Sequence, residues 1–234
     1  FTVIFQYWQR IYDSKGEYDT ALEYYEKSLS IKRKAYGEDH PSVAVTYNNM
    51  GSAYKGQGEL EKALEYHTKG LNMQIGIYGK CHNDVAISYN NVGSVYDDAG
   101  LTDQALVYYK QALDIKLQVH GDSHLAVVST LTDLGHIYSE KGDFKNSIDY
   151  FSKSLAITLK VYRDNHPDLA NAYHNLGMVL VNQMYPDCER ALENMTECLR
   201  IRKNILGPDD PVTKNTEQIV ADIQEMLEDD ACLG

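Results

Sequence analysis

Apolar residues return along the chain at helical spacing, in paired blocks. From Pro41 to Gly56, the residues Ala44, Tyr47, Met50, Gly51 and Tyr54 share one helical face, and Pro41 stands in the first turn, where its missing N–H costs nothing. Gly56-Gln57-Gly58 breaks this block. A second apolar series, Leu60, Ala63, Leu64, His67, Leu71 and Ile75, then runs to Tyr78 before Gly79 closes it. The spacing predicts two helices folded back on one another as a hairpin.

The hairpin recurs. Gly37, Gly79 and Gly121 stand 42 residues apart, with Arg163 next at the same interval and Gly207 two residues late. The same register aligns His40, His82, His124 and His166; Gly51, Gly93, Gly135 and Gly177; and Tyr54, Tyr96, Tyr138 and Leu180. Self-similarity of this length predicts stacked supersecondary units around a continuous core. The units are 1–36, truncated at its amino end, then 37–78, 79–120, 121–162 and 163–206, with 207–234 as a capping helix, all in a single domain over 1–234. The first unit carries Gln9 in the glycine column. The fifth gains two residues around Asn182 to Pro186, which predicts a longer hairpin loop. Ile219, Ile223 and Leu227 form one apolar face of the closing segment Pro211 to Asp230, as a solubilising cap needs. Small residues such as Gly51, Ala63 and Gly70 are expected to let the two backbones of a hairpin approach closely, with Tyr54 and Leu64 filling the space beside them.

The strings Tyr-Asn-Asn-Met-Gly-x-x-Tyr (47–54), Lys-Ala-Leu-Glu-Tyr (62–66) and Tyr-Gly-Glu-Asp-His-Pro (36–41) resemble the 42-residue tetratricopeptide repeats of the kinesin light chain and nephrocystin-3 type. The likeness extends over nearly the whole chain. It implies an all-α, right-handed superhelical solenoid whose first helices line a concave wall. By the pattern of that family the wall comprises Val3, Gln6, Arg10 and Asp13 in the first unit, and Val45, Asn48, Asn49, Ser52 and Lys55 in the second. The third unit adds Ile87, Asn90, Asn91, Ser94 and Asp97; the fourth Ser129, Thr132, Asp133, His136 and Ser139; the fifth Asn171, His174, Asn175 and Met178.

Amides and hydroxyls dominate that wall. A carboxamide both donates and accepts, so a row of asparagines can pair with the C=O and N–H groups of an extended peptide whatever its side chains. Resemblance to kinesin light chains implies the same grip on linear cargo motifs. A second reading stands beside it for Asn49, Asn91 and Asn175, in which they cap or bridge within the hairpin. The basic set with which related repeat domains hold carboxy-terminal chaperone tails is missing, since those columns hold Gln6, Asn48, Asn90, Thr132 and His174, with Arg10 and Lys55 isolated. Asp97, Asp98 and Glu140 instead favour a neutral to basic linear motif. This departs from the basic residues through which kinesin light chains hold tryptophan-acidic motifs. The expected function is a protein–protein interaction scaffold or adaptor. The alternative is an architectural or regulatory repeat segment of a larger signalling protein.

Composition narrows the classes further. The net charge of −12 and pI of about 5.0 argue against a nucleic-acid surface, which would present a basic stripe. Apolar residues at 43% and charged ones at 24% suit a folded core. No apolar run approaches the length of a membrane span, and Phe1 to Phe5 lacks the flanks of a signal peptide. The missing initiator Met points to a piece of a longer protein. Self-association through Phe1, Phe5 and Trp8 is a further expectation.

No phosphate-binding glycine loop, His-Glu-x-x-His pair or Gly-x-Ser-x-Gly elbow occurs, so no enzyme and no cofactor is expected. The four histidines of the joint column lie one repeat apart, too far to share an ion, and are expected to satisfy backbone groups at helix starts. Cys81, Cys188, Cys198 and Cys232 lack metal or redox spacing, which points to a reducing compartment such as the cytosol, with Cys188 and Cys198 packing as small apolar residues.

Overall fold

The computed structural model describes residues 17–232, with side chains through Glu228. The expectations placed on Phe1, Val3, Phe5, Gln6, Trp8, Gln9, Arg10, Asp13 and the Cys232 side chain lie outside that range. The described residues form ten α-helices, with one short 3-10 turn and no strand: α1 (Tyr18–Tyr36), α2 (Pro41–Gly56), α3 (Leu60–Tyr78), α4 (Asn83–Asp98) and α5 (Thr102–His120). The turn Leu125–Val127 then leads into α6 (Val128–Glu140), followed by α7 (Phe144–Val161), α8 (Pro167–Asn182), α9 (Cys188–Leu206) and α10 (Pro211–Cys232). None of the described helices is long and apolar enough to cross a membrane.

The chain divides into two compact units, Phe1–Gly121 and Asp122–Gly234. In the first, α2 packs on α3 and α4 on α5 as hairpins, while α1 on α2 and α3 on α4 join successive repeats. In the second the hairpins are α6 with α7 and α8 with α9; α7 on α8 and α9 on α10 join them. The predicted helices 41–56 and 60–78 are both present, and the loop from Gln183 to Asp187 is the long one expected of the fifth repeat.

Each recurring residue type has a local cause. The imidazole Nδ1 of His40, His82, His124 and His166 accepts the backbone N–H two residues on, at 3.1–3.2 Å, capping a helix start. The rings of His40, His82 and His166 also stack on Tyr36, Tyr78 and Tyr162. Gly37, Gly79, Gly121 and Gly207 follow helix ends at φ of 77–91°, a conformation costly for any residue with a Cβ. Arg163 holds that column in the fifth repeat, and there α7 stops one residue early, with Tyr162 extended at φ −100° and ψ 141°. Tyr54, Tyr96 and Tyr138 stack across their hairpins on Tyr66, Tyr108 and Tyr150 at 5.2–5.5 Å.

The glycine column works differently from the expected approach of two backbones. A Cβ at Gly51, Gly135 or Gly177 would lie 2.6–2.7 Å from His67, Phe151 or Met195, and one at Gly93 would lie 3.0 Å from Tyr109. The glycine therefore clears a slot for one large side chain of the second helix, and this knob closes the hairpin. Gly70 makes room for Asn48, whose Oδ1 would be 2.7 Å from an added Cβ, and also for the backbone, since Ala44 O would lie 3.2 Å away, as the expected close approach requires.

The core of the first unit gathers Ala21, Leu22, Tyr25, Val43, Tyr47 and Met50, with a second cluster on Leu71, Val85 and Val92. In the second unit Phe151, Leu169, Leu176, Leu180, Met195 and Ile201 extend through Val220 and Ile223 onto α10, whose Ile219 and Leu227 also pack against the cluster. Fully burying such side chains contributes ~1.5–3 kcal/mol each.

Candidate functional site

In the first unit several wall residues are spent on joining repeats. Asn48 is one of them, contrary to its assignment as a clamp. It is buried, its Oδ1 lies 3.2 Å from His67 Nδ1 and its Nδ2 donates to Ser88 Oγ at 2.6 Å, while Ser88 Oγ donates to Gln74 Oε1 at 2.6 Å. Because Oδ1 can only accept, the His67 Nδ1–H is the donor, and the relay runs one way from His67 to Gln74. Buried and bonded on both sides, that carboxamide is spent on the joint.

Lys55 is likewise held by the next repeat. Its ammonium donates to Ser94 and lies 3.2 Å from the Asp98 carboxylate, so two proposed wall residues, Lys55 and Ser94, are bonded to each other. Ser52 donates to its own helix at Asn48 C=O, 3.2 Å away. Asn49, Asn90, Asn91 and Asp97 are half-buried along α2 and α4.

The second unit contains a hollow. A cleft of about 410 Å³ opens between two successive repeats. From α6 it takes Ser129, Thr132 and Asp133; from α8, Asp168, Asn171, Ala172 and Asn175. Ser154 and Thr158 of α7 form its floor, and Leu125, Val128 and Tyr162 its edges. Thr132, Asn171 and Asn175 all line this cleft. Asn171 is exposed, and no hydrogen bond to another described residue engages it or Asn175. Thr132 Oγ1 lies 3.2 Å from Ser154 Oγ.

Two carboxylates and no cation line this cleft. Asp168 lies 3.6 Å from His166 Nδ1. Burial pushes the Tyr162 hydroxyl above its ordinary range, and the adjacent Asp168 carboxylate, its hydrogen-bond partner, adds to the effect.

His136 and His174 are not among the cleft residues. His136 is exposed and meets Phe151 edge-on at 5.0 Å. His174 is half-buried with an unpartnered, buried Nδ1, and burial, followed by Arg202 and His136, lowers its pKa. The floor residues Ser154 and Thr158, with Tyr162, Asp168 and Ala172, escaped the reading of the wall. Their signal was a break in two repeat columns, at positions 158 and 172.

A family model described as tetratricopeptide repeat matches residues 10–76, 57–118, 84–160 and 126–184, and a second of the same description matches 169–212. No curated protein sequence matches the chain. Among solved structures, the nearly identical TPR-like repeats of a kinesin light chain candidate from Podosopora anserina superpose with a TM-score of 0.70 at 20% identity, covering 86% of this chain and 94% of that one. BtubC (BKLC) from P. vanneervenii gives 0.74 at 20% identity over 85% and 78%. The signal transduction ATPase with a tetratricopeptide repeat sensor from Pyrococcus horikoshii gives 0.75 at 16% identity, covering 96% of this chain but 33% of that one. At these identities the likeness is one of fold.

Proposed function

The chain belongs to the tetratricopeptide-repeat family, and we propose that this protein-interaction scaffold takes an extended segment of a partner protein along the cleft between α6 and α8. One observation carries the reading: Thr132, Asn171 and Asn175, drawn from two repeats, face one opening of about 410 Å³. That volume falls in the range of ligand-binding clefts. The two carboxamides offer donor and acceptor to a peptide backbone, and the hydroxyls of Ser129 and Thr132 supplement them. With Asp133 and Asp168 as the charged lining residues, a neutral to basic segment suits the cleft better than an acidic one. Asn49 and Asn91 supply a similar amide surface in the first unit.

Selection of displayed dodecapeptides on the purified chain tests the reading. Enriched peptides are expected to bind the wild type and to weaken about tenfold or more on the Asn171→Ala/Asn175→Ala double variant, a loss of about 1.4 kcal/mol. Absence of any enriched peptide, or peptides indifferent to both substitutions, would leave the architectural role as the better account.

A further inference from the structure

The cleft lies where a repeating ladder lacks a rung. At three joints between repeats, the second helix sends a polar side chain to the helix that follows. Lys32 Nζ donates to Thr46 Oγ1 at 2.7 Å, Gln74 Oε1 accepts from Ser88 at 2.6 Å, and Arg202 Nη1 donates to Thr216 Oγ1 at 2.6 Å. All three long side chains are buried, and each pair is separated by 14 residues. At the equivalent positions 116 and 130 the sequence again has Lys and Thr.

Positions 158 and 172 break the series with Thr and Ala. Thr158 turns its hydroxyl back to Ser154 C=O of its own helix at 2.8 Å, and Ala172 has no hydroxyl to offer. No rung spans α7 and α8, and both residues line the hollow. A third departure points the same way: the column of Asn49, Asn91 and Asn175 holds Asp133 in this repeat, and its carboxylate lines the same cleft.

We propose that the partner supplies the missing rung, inserting a lysine or arginine side chain between α6 and α8 so that its stem covers Ala172 and Thr158 and its cationic head meets Asp133. This rests on the peptide-binding reading above and names the anchor it uses. A basic side chain fits for the same reason that Lys32 and Arg202 fit their own joints: a long apolar stem fills the space between repeats, and the head finds oxygen acceptors.

The anchor is tested by closing the rung from within. Thr158→Lys/Ala172→Thr copies the pairs at 32/46 and 116/130, so it should fold, and a thermal melt checks that it does. Asp133→Asn is the second variant, leaving the cleft's shape intact. Displayed dodecapeptides selected on the wild type are expected to share Lys or Arg at one fixed position. Replacing that residue by norleucine should weaken binding about tenfold, as should the rung-restoring variant, with a smaller loss for Asp133→Asn that shrinks at high salt. Enriched peptides without a fixed basic residue, or ones bound equally by the rung-restoring variant, would overturn the anchor while leaving peptide binding in place. No enriched peptide at all would overturn both.

Discussion

Asn48 and Ser88 are hydrogen-bonded at 2.6 Å from one repeat to the next, and this bond is the centre of a relay that starts at His67 and ends at Gln74. Asn48→Ala would leave His67 and Ser88 each short of a buried partner. The expected loss is ~1–3 kcal/mol, read as a shift in urea midpoint. Asn49→Ala, at the half-buried neighbouring position, should stay within ~0.5 kcal/mol of wild type.

The head of that relay makes the first unit acid-sensitive. Burial, and secondarily the charge of Lys55, holds His67 at a pKa of about 4, against 6.5 when unfolded. Between these values the unfolded chain binds the proton that the folded chain refuses. Stability is therefore full above pH 6.5 and declines as pH falls toward 4, by up to ~3 kcal/mol. His67→Phe, which places in this slot the residue found at Phe151, should flatten that slope in urea melts taken across the window. An unchanged slope would remove His67 as its source.

Two helical glycines should respond in opposite directions. Gly135→Ala drives a Cβ to 2.6 Å from the Phe151 ring and is expected to cost ~1–3 kcal/mol. Gly76→Ala, inside α3 with open space around it, should stabilise by ~0.5–1 kcal/mol through helix propensity alone. Denaturant melts of the two single variants decide the matter.

Thiol chemistry separates the cysteines. Cys198 is buried with its pKa pushed up to about 11, and Cys188 is also buried, whereas Cys81 is exposed. In a Cys232→Ser background, a thiol reagent at neutral pH should modify Cys81 quickly and the other two only on unfolding, as counted by mass spectrometry. Fast labelling of Cys198 in the folded protein would contradict its place in the core of the second unit.

The fold was legible in the sequence because each repeat solves the same packing problem with the same residues. A period of 42, a histidine before the first helix of four repeats and a glycine after most of the second helices fix the hairpins locally, through backbone geometry and caps that depend on near neighbours. Which wall residues face a ligand was not decided at that level. Asn48 and Asn175 lie in adjacent columns of the same helical pattern, yet Asn48 is consumed by His67 and Ser88 while Asn175 lines an open cleft. That difference depends on side chains contributed by the partner helix and by the next repeat, including the short pair Thr158 and Ala172 that lines the cleft. Periodicity sets where helices begin, end and pair; whether a polar side chain between them is spent or available follows from the volumes and hydrogen-bonding groups that tertiary packing brings to it.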